Sequence, residues 1–312
     1  MGGTLMVSNL PGSLQQGENR VEIAPGVFMP LVNLGNGNHT SWIKQGGRGI
    51  DTAYDYGDKS QQEVGRAVRN SGIPRSDLFV TTKLPCCPST AWCFAQGTGW
   101  WQWPGVNGGS SAAAQELAES DLMKLAEHDF KMLGLDVIDA LILHFPCATK
   151  DLNLARYRVL EELYRKGRVR AIGVSNFDAD ELTDLVARAD IKPAVNQIGY
   201  SIKTPTYSDW LTKDQVRATI RRARELGVTT TAYGPLGLTT GIGVASVLGD
   251  PEVQAAATAH GKSAAQVALR YLVQQGIPVV TSGKNVKHYA EDVAATEFAL
   301  EQDEMQRLDS VD

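Results

Sequence analysis

Asp51, Tyr54, Asp55, Tyr56 and Asp58 fall within eight positions of the stretch GGRGIDTAYDYGDKSQQEVG, where a short apolar run gives way to a helix-like segment. A polar turn accounts for such a cluster, and so does a strand end that carries reactive side chains. Chemistry enters when Lys83 and His144 are added. A phenol serves as a general acid near neutral pH only if a nearby cation brings its pKa down from about 10. Lys83 can be that cation, Asp51 can hold it in place and charged, and a neutral His144 can donate a hydrogen bond to a carbonyl oxygen. Such a set protonates a carbonyl oxygen as hydride reaches the carbon. The hydride has to come from a cofactor, because no side chain supplies one. Taken singly, each residue has a plainer reading: Asp51 as a cap, Lys83 as a surface charge, His144 as a core histidine. A barrel hydrolase using Asp51 and Asp55 is the competing chemistry.

These groups need a scaffold that gathers positions far apart in the chain. Eight β-rich or apolar runs alternate with helix-like segments: LVNLG (31–35), GIDTA (49–53), LFVTTKL (78–84), VIDALILHF (137–145), VRAIGV (169–174), PAVNQIG (193–199), VTTTAY (228–233) and IPVVTS (277–282). Alternation of this kind predicts a parallel sheet with crossover helices, and eight repeats predict an α/β fold of the closed (β/α)8 TIM-barrel type. In that fold catalytic groups come from the C-terminal ends of the strands, where the chain offers Asp51, Lys83, His144, Ser175, Asn176, Asn196, Gln197 and Tyr233. Residues 20–31, with a Pro-Gly turn, read as a hairpin that caps the barrel bottom. The aperiodic stretch 85–113 carries Trp92, Trp100, Trp101 and Trp103 and reads as a long functional loop over the mouth. The whole chain, 1–312, reads as a single domain.

Composition narrows the class. At 43% hydrophobic and 21% charged, with net charge -5, the chain reads as soluble and globular, not as a nucleic-acid binder. No stretch reaches the roughly 18 apolar residues of a membrane helix, and no leader-like segment opens it, so the cytoplasm is the expected location. Cys86, Cys87, Cys93 and Cys147 form no zinc pattern and are expected to be reduced thiols, three of them near the catalytic rim. No metal is expected. The usual dinucleotide fingerprint is missing too: GNGNHT supplies Gly35 and Gly37 but has Thr40 where a third glycine would stand.

The motifs together resemble the aldo-keto reductase family over nearly the whole chain. GGRGIDTAYDYGDKSQQEVG is similar to that family's first signature, LILHFP with GRVRAIGVSNF to the second, and VVTSGKNVKHYAEDV to a degenerate third. The resemblance implies a carbonyl reductase that takes a nicotinamide cofactor on a barrel. It places the catalytic roles on Asp51, Tyr56, Lys83 and His144. It places carboxamide binding on Ser175, Asn176 and Gln197, the ring under the nicotinamide on Tyr233, and further cofactor contacts on Pro235, Leu236, Gly237, Ser282, Gly283, Lys284, His288, Glu291 and Asp292. Tyr54, Asp55 and Asp58 are left as packing, turn and helix-start residues. The alternative within the resemblance is a redox-sensing or partner-binding subunit with vestigial reductase activity.

Departures from the family pattern shape the finer expectations. Ser282 and His288 replace a lysine and an arginine around the adenosine 2'-phosphate, with Lys284 and Lys287 near enough in sequence to replace the charge. NADPH is the favoured cofactor and NADH the alternative. Gly37 stands where relatives often have a pocket tryptophan, which predicts a wider pocket on that side. The chain stops at MQRLDSVD, where relatives continue into a pocket-closing tail, so the loop carrying Trp100, Trp101 and Trp103 is expected to serve as the lid for small apolar or aromatic carbonyl substrates.

Overall fold

The structure is a computed structural model that describes residues 19–86, 119–203, 212–237, 247–283 and 285–311. Trp100, Trp101, Trp103 and most of the expected loop therefore lie outside the described residues. A hairpin opens the described chain, with β1 (Arg20–Ala24) antiparallel to β2 (Val27–Pro30). Eight parallel strands follow: β3 (Val32–Gly37), β4 (Gly49–Asp51), β5 (Phe79–Leu84), β6 (Ile138–Leu143), β7 (Val169–Ser175), β8 (Val195–Gly199), β9 (Thr229–Tyr233) and β10 (Val279–Gly283). They close into a barrel in which β10 pairs with both β3 and β9. Helices lie between the strands, as expected for a (β/α)8 barrel. Their starts follow local chemistry: Asp178 and Glu181 form a reciprocal capping box at Ala179–Arg188, and Ser263 with Gln266 does the same at Ala264–Val273.

Strand side chains alternate between two faces, and here the alternation divides the interior into two cores. Outward positions such as Ile50, Val80, Leu84, Leu141, Leu143, Ile172, Val174 and Ile198 join the large cluster under the helices. Inward positions Phe79, Ala140, Ile142, Ala171 and Val195 form a separate cluster with Ile23, Val27 and Met29 of the hairpin. The hairpin thus plugs the N-terminal end of the barrel, as its sequence predicts. Continuing each inward series two or four residues toward the opposite end leads to Asp51, Lys83, His144, Ser175, Gln197 and Tyr233. One periodicity fills the bottom with apolar groups and the top with polar ones.

The plugged end is pinned by Asp139, which is almost fully buried. Its carboxylate accepts from Val80 N at 2.9 Å and Arg170 Nη1 at 2.8 Å, and pairs with Arg75 Nη2 at 2.6 Å. Arg170 in turn reaches the Gly26 carbonyl in the hairpin turn. Removing the carboxylate leaves the buried Val80 N–H without its acceptor and takes the counter-charge from two half-exposed guanidinium groups. Asp139→Ala is expected to destabilise the fold by about 2–3 kcal/mol, measured as the shift in urea unfolding at constant m-value.

Candidate active site

Lys83 is the centre of the barrel mouth. It is 1% exposed, and its ammonium ion-pairs with Asp51 Oδ1 and donates to Thr52 O at 3.0 Å. The second oxygen of Asp51 accepts from Gln197 Nε2 at 2.8 Å, so the carboxylate is engaged on both sides. Burial by itself would pull the ammonium pKa down, but Asp51, together with Tyr56 and Asp55, outweighs it and holds Lys83 above its ordinary value. Lys83 Nζ also lies 5.5 Å from the centroid of the Tyr56 ring. Tyr56 sits on a single 3-10 turn, Tyr54–Tyr56, just past β4, and is 39% exposed at the mouth.

Its hydroxyl stands among the charges of Lys83, Asp51 and Asp55. Burial pushes this phenol up, while Lys83 pulls it down by its charge and by a side-chain hydrogen bond. The balance is upward. This corrects the expectation of a phenol lowered overall: the cation is in place, but desolvation and two carboxylates outweigh it.

His144 continues the inward series of β6 and lies edge-on to Tyr56, with ring centroids 6.0 Å apart. Its backbone N–H donates to Leu84 O at 2.9 Å, and its carbonyl accepts from Asn176 Nδ2 at 3.0 Å. Burial lowers its pKa against the opposing pull of Asp55. Its Nδ1 lies 2.9 Å from Asp55 Oδ2. Asp55 is therefore a partner of the histidine and not a solvated turn residue. The signal was a second acid immediately before Tyr56, and only the fold aims it at β6. Tyr54 instead packs on the large core and meets His128 edge-on, while Asp58 starts the helix Asp58–Arg69 and binds His128 Nε2 at 2.7 Å.

A polar group lies beside the catalytic candidates. Asn176 adopts φ 65, a left-handed conformation that asparagine tolerates better than most residues, and accepts from the Tyr233 hydroxyl at 2.8 Å. Its Nδ2 also donates to Ser175 Oγ, and Ser175 Oγ donates to Gln197 O. With Gln197 Nε2 given to Asp51, the amide oxygen Oε1 remains an acceptor for a carboxamide. Space for a cofactor exists at the end of β10, where a Cβ on Gly283 would meet nothing within 4 Å. Ser282, Lys287, His288 and Glu291 are exposed around it, and Pro235, Leu236 and Gly237 follow β9. This donor set and opening suit a nicotinamide cofactor. Lys284 lies outside the described residues.

Three further expectations are corrected. Asp292 is buried and bonded to Thr281 Oγ1 at 3.2 Å, so it faces the barrel wall and not an adenine. The room left by Gly37 does not widen a pocket, because a Cβ there would stand 2.6 Å from Tyr289 Oη, which bridges Asn38 N and Gly283 O. The cysteines are not all free. Cys86 and Cys147 form a disulfide across the ends of adjacent strands β5 and β6, with Cα atoms 5.5 Å apart. Their 61-residue separation hides a proximity that parallel register creates. Cys87 and Cys93 lie outside the described residues.

Sequence reading also missed a network behind the site. Gln61 sits on the buried stripe of its helix with Val64 and Val68, and a polar residue on such a stripe is the usable signal. It accepts from Thr52 Oγ1 and donates to Asp129 Oδ1 and to Thr82 Oγ1, and Thr82 donates to Asp129 Oδ2 at 2.8 Å. Thr52 and Thr82 adjoin Asp51 and Lys83, so the network braces both catalytic strands from outside.

A closed parallel barrel with a buried lysine–aspartate pair beside a tyrosine and a histidine at its C-terminal mouth defines a class of nicotinamide-dependent reductases. The comparisons agree. The sequence profile of the Aldo/keto reductase family matches residues 40–312. The chain is 33% identical to morphine 6-dehydrogenase of Pseudomonas putida, covering 94% of this chain and 90% of that protein. It is 32% identical to glyoxal reductase of Bacillus subtilis, covering 97% and 95%. Among solved structures, an aldo/keto reductase from Brucella melitensis superposes with TM-score 0.74 at 26% identity, over 96% of this chain and 100% of that one. A Bombyx mori aldo-keto reductase, solved in complex with NADP, gives TM-score 0.72 at 25% identity, over 95% and 93%. The chain belongs to the aldo/keto reductase family and is an NAD(P)H-dependent oxidoreductase. No helix among the described residues is long and apolar enough to cross a membrane.

Two measurements follow. Burial raises the Asp129 carboxyl to about 6. The folded state then holds a proton that the unfolded state releases near pH 4, so stability falls as pH rises from about 4 to 6 and levels off above it. Asp129→Asn is expected to remove about 3 kcal/mol of that dependence, read from urea titrations at both ends of the range. Reduction of Cys86–Cys147 is expected to remove up to about 4 kcal/mol by the loop-entropy argument. Thermal melts with and without reductant test this, and peptide mapping of unreduced protein tests the pairing.

Proposed function

We propose that the chain reduces aldehydes or ketones to alcohols with Tyr56 as proton donor. The observation that carries this reading is a buried lysine set between a carboxylate and a phenol. Tyr56 keeps its proton at neutral pH, as an ordinary phenol does, and Lys83 beside it stabilises the phenolate left after transfer. Asp51 holds Lys83 charged and in position. His144 orients the carbonyl oxygen toward the phenol. In the reverse direction the Tyr56 phenolate takes the alcohol proton.

A reduced nicotinamide, when bound, supplies the hydride. Ser175, Asn176 and Gln197 would hold its carboxamide, with Gln197 Oε1 as the acceptor, and Tyr233 would lie against the ring. Pro235, Leu236, Gly237, Ser282, Gly283, His288 and Glu291 would border the remainder. NADPH is the favoured form, on the positive charge of Lys284 and Lys287, and NADH is the alternative. The NADP complex of the Bombyx mori relative supports this choice. Small carbonyl compounds are the substrate class.

Separate fluorescence titrations with NADPH and NADH establish the cofactor, and loss of reduced-cofactor absorbance with a panel of aldehydes and ketones establishes turnover. Tyr56→Phe is expected to lower kcat by at least about 100-fold while leaving cofactor binding unchanged. Wild-type turnover in that variant would overturn the mechanism.

A further inference from the structure

The bond between Asp55 and His144 constrains more than ring position. An ionised carboxylate can only accept hydrogen bonds, so the hydrogen between Asp55 Oδ2 and His144 Nδ1, 2.9 Å apart, resides on the ring nitrogen. A neutral imidazole carries one N–H. If it is on Nδ1, Nε2 is left with a lone pair. Among the described residues Nε2 has no hydrogen-bond partner, and it is the nitrogen left for a substrate. A carbonyl oxygen needs a donor, which a lone pair is not.

We propose that Asp55 is a positioning residue that sets the tautomer of His144, so that Nε2 accepts a hydrogen bond when the ring is neutral and donates one only when it is doubly protonated. The inference rests on the reading of Tyr56 and His144 above and sharpens it. In reduction, the Tyr56 proton forms the new O–H bond as a C–H bond forms at the carbonyl carbon with a hydride that a reduced nicotinamide would supply, being oxidised in turn. His144 transfers no proton in this step. It aids the step by donating to the carbonyl oxygen, and so aids it only as imidazolium. In alcohol oxidation the single O–H proton goes to the Tyr56 phenolate, so Nε2 has no hydrogen to accept there and again aids the step only as a donor. Reduction is therefore favoured below the His144 titration.

The groups that face the ring bear on that titration. Asp55 from the 54–56 turn and Asp51 from β4 favour the charged imidazole, while burial and Lys83 from β5 oppose it. Tyr56 meets the ring edge-on, Phe145 stacks on it at 4.2 Å between centroids, and Asn176 holds its backbone carbonyl. Asp55 is the only one of these hydrogen-bonded to a ring nitrogen among the described residues.

Nitrogen NMR of uniformly 15N-labelled protein separates the two neutral tautomers, and the chain has only five histidines. The His144 signal is assigned by its loss in His144→Gln. Above its titration, wild-type His144 is expected in the Nδ1–H form. Asp55→Asn, whose amide can donate to Nδ1, and Asp55→Val, which can neither accept nor donate, are expected to move it to the Nε2–H form, with circular dichroism checking the fold. In parallel, kcat/KM for benzaldehyde reduction by NADPH is expected to fall about tenfold per pH unit above the His144 titration in wild type, and to lose that limb in Asp55→Val. An Nε2–H ring in wild type, or no change of tautomer in both variants, would overturn the proposal. The NMR result stands or falls without turnover, whereas a fully active Tyr56→Phe would overturn the reductase reading alone.

Discussion

A lysine ammonium buried in the mouth of a closed barrel is the constraint around which the upper half of this structure is arranged. Desolvating such a charge is expensive, and it is tolerated only when hydrogen bonds and a counter-charge replace the lost water. Lys83 meets that requirement with Asp51 and the Thr52 carbonyl, and Asp51 in turn with Gln197. Strands β4, β5 and β8 are thereby held in fixed relation at their C-terminal ends. The outward neighbours Thr52 and Thr82 are tied through Gln61 to Asp129, so the same two strands are braced on both faces. A rigid mount of this kind is what the proton donor proposed at Tyr56 requires.

The two ends of the barrel differ because the same period-2 alternation is filled differently along each strand. At the N-terminal end, small and branched apolar residues meet the hairpin and exclude water. At the C-terminal end, the inward positions are ionisable or amide side chains that would be unstable if plugged. Their mutual hydrogen bonds make the mouth a connected polar surface, from His144 through Asn176 to Ser175, Gln197 and Asp51. The two sides of the mouth are consequently coupled: Asn176 touches the His144 backbone with one end of its amide and the Tyr233 hydroxyl with the other.

Much of this was legible in the chain. Eight apolar runs, the Pro-Gly hairpin turn and polar residues at strand ends sufficed for the barrel and for which end holds chemistry, because alternation and turn signals are local. The motif resemblance then assigned roles to Asp51, Tyr56, Lys83 and His144. What escaped was lateral: the Asp55 contact to His144, the Cys86–Cys147 bond, the inward turn of Asp292 and the filling of the space at Gly37 by Tyr289 all join elements distant in sequence. None leaves a periodic trace. The direction of the Tyr56 pKa escaped for a related reason, since a residue list gives the charges but not how deeply they are buried.

By itself, then, the sequence determined the fold class, the polarity of the barrel and the identity of the side chains at its mouth, because these follow from periodicity and residue chemistry along the chain. The tertiary structure alone decided which of those side chains touch. Parallel register sets the ends of β4, β5, β6, β7 and β8 side by side, and the distances created there decide the partner of His144, the balance of forces on Tyr56 and the pairing of Cys86 with Cys147. Such quantities depend on separation and dielectric in three dimensions, which no spacing along a chain contains.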